Sequence, residues 1–417
     1  MSDSNSNQKT ILTMYHLIVN KVSFFTCLLL LMTFNAESQS WVERKSLPAG
    51  ALARNHPVTF TLDGKGYVAT GNTINNSDVF KDVWRFDPQS NEWEELSGFP
   101  GEARGYSYGV AYEGKGYLGF GLARSGHLKD LWEFDPSTEK WTSLPSCPCV
   151  ARTHPALVAH QGKLYVGAGG SQMGDLKDWW AYDLKSQTWS QKDSFPGFKR
   201  HHPFFFEIGD YIYVGFGHSG PFIFKDMFRY DPKLDKWQEV ASLPSQGRVA
   251  GTQFTYKGKG YLLSGQGEDH QNLKTGEFWA YTPENDSWSQ LPPHPGSGRW
   301  APGSFLIGSS IYLTSGTPDA GDVKDLWSFD LDLLAGIKPL DLPAFEVYPN
   351  PANDFISLEM EDLGMFDVQI LNVFGQKVLN PINTEPKIDV RHLAEGVYFL
   401  QLTKNGIARN TKFVIQR

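Results

Sequence analysis

Residues 200–237 read RHHPFFFEIGDYIYVGFGHSGPFIFKDMFRYDPKLDKW. An Arg opens the stretch and an apolar run follows it. Tyr213 and Gly217 end the next run; Lys225-Asp226 then precedes an aromatic-Asp-Pro turn and Trp237. The same order recurs along most of the chain. The Arg slot holds Arg54, Arg104, Arg152, Arg200, Arg248 and Arg299. The Tyr slot holds Tyr67, Tyr117, Tyr165, Tyr213, Tyr261 and Tyr312, and the Gly slot Gly71, Gly121, Gly169, Gly217, Gly265 and Gly316. All three slots step by 50, 48, 48, 48 and 51 residues. Three residue types in one register through six copies define a repeat. A period near 50 residues belongs to propeller blades rather than solenoid turns.

Each copy reads as four short strands. A run such as THPALVAH (153–160) is apolar enough to be buried on both faces. After a turn, a Tyr-bearing strand ends in Gly, as in LYVGAGG (164–170). The third strand, DVWRFDP (82–88) or DLWEFDP (130–136), ends in Asp-Pro, where Pro sets φ and Asp bonds the local backbone. The fourth starts at Trp93, Trp141, Trp189, Trp237 or Trp288. Such a meander exposes both faces until neighbours stack around a ring. The Tyr and Trp slots are therefore expected between blades, and the Gly slots where backbones approach closely.

The Arg at the head of the innermost strand, the Tyr-x-x-x-Gly of the second and the Trp of the fourth resemble the kelch repeat. The resemblance covers about residues 41–330 and implies an all-β, six-bladed propeller. The last copy lacks a Trp slot beyond Asp330, while Trp41 to Pro48 reads as a fourth strand with no blade before it. Joining the two would close the ring and remove an open sheet edge.

Residues 22–34 (VSFFTCLLLLMTF) follow Lys21 and precede AESQS, the pattern of a secretory signal within 1–40. Met14 is a candidate start, and the run is too short to span a bilayer. Cys27 falls inside it, leaving Cys147 and Cys149, whose spacing leaves a local disulfide and two free thiols both open. Residues 331–343 read as a linker, after which the repeat register stops. FEVYPNPANDFISL (345–358), VQILNVFGQKV (368–378) and LAEGVYFLQL (393–402), with a hairpin turn at Asn405-Gly406, predict a small Ig-like β-sandwich over 344–417. These words resemble the C-terminal sorting domain of type IX secretion substrates. The resemblance implies passage through the periplasm and outer membrane to the surface or medium, with the type IX machinery as partner.

A net charge of −8 argues against nucleic acid as a ligand. Six Arg heading six innermost strands stand in a ring near one channel mouth, and guanidinium suits carboxylates. We expect two or three of them to reach an anionic ligand, an acidic glycan or acidic peptide, with Arg104 and the loop residue Arg124 the favoured pair. The others would bond carbonyls or acids between blades. The loops after the Gly slots differ (Asn72, Arg124, Ser171, His218, Gln266, Asp319), which is where specificity would lie. His56, His154 and His202 share the slot two after Arg, where Tyr106, Ala250 and Ala301 stand in other copies. Without compact ligand spacing they are expected to be satisfied core histidines, with no metal. Glu268, His270 and His218 are the acid–base candidates near the mouth. The Lys-Asp pairs at 81–82, 129–130, 177–178, 225–226 and 324–325 read as a structural brace. No catalytic triad order, phosphate loop or nucleotide fingerprint is evident, and no cofactor is expected. The reading is a secreted or surface binding module for glycan or protein. The alternative is an enzyme like the sialic-acid mutarotases found among six-bladed kelch propellers, which needs an acid–base group beside the anomeric centre. A copper radical oxidase finds no Cys with Tyr and His ligands.

Overall fold

The computed structural model describes residues 41–336, 346–358, 367–372, 377–379, 387–404 and 407–417. The expected signal segment at 1–40, with Met14 and Cys27, lies outside the described residues, as do most of the expected linker and the Asn405-Gly406 turn.

Six four-stranded antiparallel sheets follow one another along the chain. The first runs from its innermost strand outward as Val58–Leu62, Lys65–Ala69, Val83–Asp87 and Glu92–Leu96. The next four repeat this order from innermost strands Tyr108–Tyr112, Ala156–His160, Phe204–Ile208 and Thr252–Tyr256. The sixth contains Gly303–Ile307, Ser310–Thr314 and Leu326–Asp330, and takes its outer strand from Val42–Arg44, with Val42 opposite Ser328. Neighbouring innermost strands touch in sequence, and the sixth touches the first, so the blades form a closed ring.

Burial follows position. All five residues of Ala156–His160 are buried, whereas the outer strand Lys140–Leu144 has no fully buried residue. The six slot tyrosines are 1–6% exposed. Each of several meets an aromatic on the next blade's third strand: Tyr67 and Phe134 at 5.6 Å, Tyr165 and Tyr230 at 5.9 Å, Tyr213 and Tyr281 at 5.4 Å. Tyr312 and Phe86 repeat the contact at 5.4 Å across the closure. Fourth-strand tryptophans of the third, fourth and fifth blades tie each of these to the one before. Trp189 donates its indole N–H to Pro145 O at 2.8 Å, Trp237 to Asp193 O at 2.8 Å and Trp288 to Ala241 O at 2.9 Å. Trp41, 7% exposed, packs on Phe278 and Phe329.

Two details depart from or complete the sequence reading. Leu331–Gly336 is a 3-10 turn rather than linker; Leu331 is buried in the core shared by the fifth and sixth blades. Cys147 and Cys149 are joined as a disulfide and buried beside the third blade, an oxidised pair in keeping with an exported chain.

The C-terminal residues form a three-stranded sheet (Val347–Tyr348, Phe355–Leu358, Lys387–Asp389) and a four-stranded one (Lys377–Leu379, Asp367–Asn372, Gly396–Lys404, Ile407–Ile415). Alternate residues of both, among them Ile356, Ile388, Val368, Leu400 and Phe413, enter one core, the arrangement of a β-sandwich. Among the described residues no helix is long and apolar enough to cross a membrane.

Candidate functional site

The six slot arginines are buried, at 0–5% exposure, and each is committed within its own blade. Arg104 is representative. Its Nη1 and Nη2 donate to Asp130 Oδ1 and Oδ2 at 2.6 and 2.7 Å, Nη1 donates again to Phe120 O at 3.1 Å, and Nε donates to Glu102 O at 3.0 Å. Arg54 holds Asp82 in the same two-pronged way, Arg152 holds Asp178, Arg200 holds Asp226 and Arg299 holds Asp325. Burial works against ionisation of Asp82 and Asp178, but the bonds and charge of Arg54 and Arg152 outweigh it and hold both carboxyls below their usual range. The fifth blade departs: Glu277 replaces the Asp and meets only Arg248 Nη2, at 2.7 Å. Arg248 Nε and Nη1 are buried without a partner, and burial lowers its pKa.

The expected anion-binding ring is therefore corrected. Arg54, Arg104, Arg152, Arg200, Arg248 and Arg299 brace the frame, because a buried guanidinium needs its counter-charge inside the fold. Arg124 is exposed on its loop and gains no joint grip with Arg104, whose donors are already used. The brace read as Lys-Asp is an Arg–Asp brace. Four of its Asp residues also accept a third-strand indole, as Asp130 does from Trp132 at 2.8 Å; the fourth blade has Phe228 there.

Five of the six Arg carbonyls, all but that of Arg299, also link blades. The slot Gly of one blade donates its amide to the Arg carbonyl of the next: Gly71 to Arg104 at 2.9 Å, Gly121 to Arg152 at 2.9 Å, Gly169 to Arg200 and Gly217 to Arg248 at 2.8 Å. Gly316 closes the circle on Arg54 at 2.8 Å. Gly71 has φ +102°, and a Cβ there would lie 2.8 Å from Asn55 O, so only glycine fits.

Just beyond this frame each blade extends its ladder by one pair toward the mouth. The residue after Arg pairs with the residue after Gly: Asn55 with Asn72, Gly105 with Leu122, Thr153 with Gly170, His201 with His218, Val249 with Gln266, Trp300 with Thr317. No two pairs are alike. The next position along, two after Arg, has positive φ in all six blades: His56 50°, Tyr106 59°, His154 49°, His202 53°, Ala250 50° and Ala301 46°. The turn belongs to the frame, since it occurs whatever the side chain. It aims these side chains at the channel axis. His56 of the first blade thereby meets His202 of the fourth, across the ring, with Nε2 atoms 2.9 Å apart. His154 packs between them, 3.5 Å from His202 and 5.0 Å from His56 by ring centre, and Tyr106 and Trp300 flank the group. Inward of this collar the channel holds a cavity of about 410 Å³, lined by Thr59, Thr61, Tyr108, Tyr112, Glu207 and Thr252 among others.

Of the three histidines expected to be satisfied, His56 is and the other two are not. Neither ring nitrogen of His154 has a partner, nor does His202 Nδ1. Burial, reinforced for His154 and His202 by neighbouring histidines, holds both well below the ordinary histidine value and takes His56 down to about 3. Of the acid–base candidates, His218 and His270 come together, 5.3 Å between ring centres, while Glu268 caps the Gly247 amide at 2.7 Å. Burial first, then His201 and His270, draws the His218 pKa down to about 3. Its outer neighbours are Trp300 and His201, whose Nδ1 lies 2.7 Å from Asp175 Oδ1. Sequence reasoning passed over Trp300 and His201, although both fill the slot after Arg, the most varied position of the repeat.

Residues 66–318 match the family model described as the Attractin/LZTR1 beta-propeller, and residues 346–416 match that of the secretion system C-terminal sorting domain. No curated protein matches the chain.

Proposed function

The chain belongs to the Attractin/LZTR1 beta-propeller family, and from that premise we propose that it is a recognition protein whose ligand docks at the loop-bearing mouth of the propeller. The sorting domain marks it for export by the type IX route to the cell surface or medium, and implies contact with that machinery. One observation carries the docking reading. Six Arg–acid frames, five of them Arg–Asp, carry six different pairs at one mouth, and in all but the Asn55–Asn72 pair at least one member is half-exposed, which puts variety where a partner can touch it. The half-buried Trp300, with the half-buried His218, His201 and Gln266 at the same mouth, offers an aromatic surface among polar side chains. That mixture suits a glycan or a protein segment presenting hydroxyl and amide groups better than an anion, given that five of the six slot guanidinium groups are held two-pronged by an Asp and the sixth is buried on Glu277.

The test is a binding screen of the exported protein against a glycan array and against surface proteins, repeated with Trp300→Ala. Loss of a ligand's binding by tenfold or more, with an unchanged melting temperature, supports the reading. A ligand held as tightly by Trp300→Ala and by a Trp300→Ala/His218→Ala double variant as by wild type, or no ligand at all, overturns it.

A further inference from the structure

We propose that His56, His154 and His202 form a binding site for a transition-metal dication on the axis of the channel. Their donor nitrogens lie within 4.8 Å of one another, and all three residues are nine-tenths or more buried. Three neutral imidazoles are a ligand set for Zn²⁺ and for its neighbours Co²⁺, Ni²⁺ and Cu²⁺.

The tautomer of His56 is set by its surroundings. Asn55 Nδ2 donates to Asp322 Oδ1 at 3.0 Å and to Thr317 Oγ1 at 3.1 Å, so Asn55 turns its Oδ1 toward His56 Nδ1, 2.6 Å away. Nδ1 then carries the proton, and the lone pair of Nε2 faces His202 Nε2 at 2.9 Å. An amide-anchored Nδ1–H that leaves Nε2 unprotonated is the tautomer a metal-ligating histidine takes from its supporting residues. The 2.9 Å separation is a few tenths of an ångström below the edge of about 3.3 Å that Zn–N bonds of 2.0–2.1 Å give a tetrahedron. A small rotation of either ring closes that gap.

His154 supplies the second, independent observation. Both its nitrogens are buried without a partner, as is His202 Nδ1. Leaving such groups unpaired is costly, and a bound cation would satisfy one of the two on His154 directly. Three protein ligands leave a fourth position for water or for an oxygen of an incoming molecule, as in open zinc sites. A second trio, His201, His202 and His218, shares His202 and has its own carboxylate support at Asp175. We assign the ion to the first trio because it is fully buried and because His154 has no other bond to make.

The proposal does not depend on the organic ligand. Its test is calorimetric titration of the full exported chain with Zn²⁺, and with Co²⁺ read by its visible spectrum. One ion per chain is expected, with the absorption of a low-coordinate nitrogen site, and a melting temperature that rises on metal addition. His154→Phe keeps the ring and removes two unpaired nitrogens. It should weaken Zn²⁺ at least 100-fold and abolish the metal-dependent rise, while the metal-free protein melts no lower than wild type. His218→Ala should bind as wild type does. The assignment is overturned by absence of stoichiometric binding, by binding that survives His154→Phe, or by binding lost in His218→Ala alone.

Discussion

Arg152 holds Asp178 with both terminal nitrogens, at 2.8 and 2.7 Å, and uses Nη1 again on Ala168 O at 2.9 Å. The guanidinium is buried, so the carboxylate is its only counter-charge. Arg152→Ala should therefore destabilise the protein by about 3–5 kcal/mol, the range for breaking a buried pair from one side. Arg152→Lys should recover little, since a point charge cannot reproduce the fork. Denaturant unfolding measures both. A loss under about 1 kcal/mol, the scale of a surface pair, would show that the brace carries no weight.

The outer strand Val42–Arg44 completes the sixth blade, and Trp41 fills the gap between Phe278 and Phe329. Removing residues 41–48 should lower the melting temperature sharply. Trp41→Ala alone should cost about 3–5 kcal/mol, the range for truncating a buried aromatic. An unchanged melt in both variants would mean that the ring closes without this strand.

His294 is 2% exposed, with Nδ1 donating to Pro295 O and Nε2 accepting from Ser264, both at 2.9 Å. Burial first, then the charge of Arg299, draws its pKa from 6.5 down to about 4. The unfolded chain takes up this proton below about 6.5 and the folded chain resists until about 4, so the unfolded state binds more protons across that window. The stabilisation is whole above about 6.5 and falls by about 1.4 kcal/mol per pH unit as acid is added, from this residue alone. His294→Gln should flatten the slope of unfolding free energy against pH by that amount. Parallel slopes for the two proteins would contradict the argument.

Among the described residues, the core of the C-terminal sandwich draws only on residues between Val347 and Ile415, and the propeller clusters use none of them. A chain ending near residue 340 should melt within a few degrees of the full protein yet remain in the periplasm of a host with type IX secretion. Appearance of that shortened chain in the medium would remove the sorting role.

The ring was legible because its determinants are periodic. Arg, Tyr, Gly and Trp recur at fixed offsets, and a periodic sequence tells of a periodic frame. Pairing inside the frame was only half legible. Arg152 and Asp178 are 26 residues apart, and the matching offset recurs in Arg104 with Asp130 and Arg299 with Asp325. The acid was noticed, but beside the wrong cation. The mouth was the least legible part. His56 and His202 are 146 residues apart and meet only because opposite blades face each other across a narrow axis. No local spacing encodes that meeting. It follows from a backbone turn of positive φ, which recurs under His, Tyr and Ala alike and so leaves no residue signature.

The pairing of Val42–Arg44 with Leu326–Asp330 also sets an order of events. Arg44 and Ser328, joined through Nε and Oγ at 2.8 Å, are 284 residues apart. A chain made from its N-terminus presents its first strand long before the partner exists. Five blades can form from local hairpins, but the sixth waits for the last repeat, with one strand of its edge unpaired in the interval. The slow, high-contact-order step of folding is then the final one. A circular permutant that starts after Pro48, with the old termini of the propeller joined so that residues 41–48 follow residue 336, would turn that step into a local hairpin and should fold faster while unfolding at the same rate.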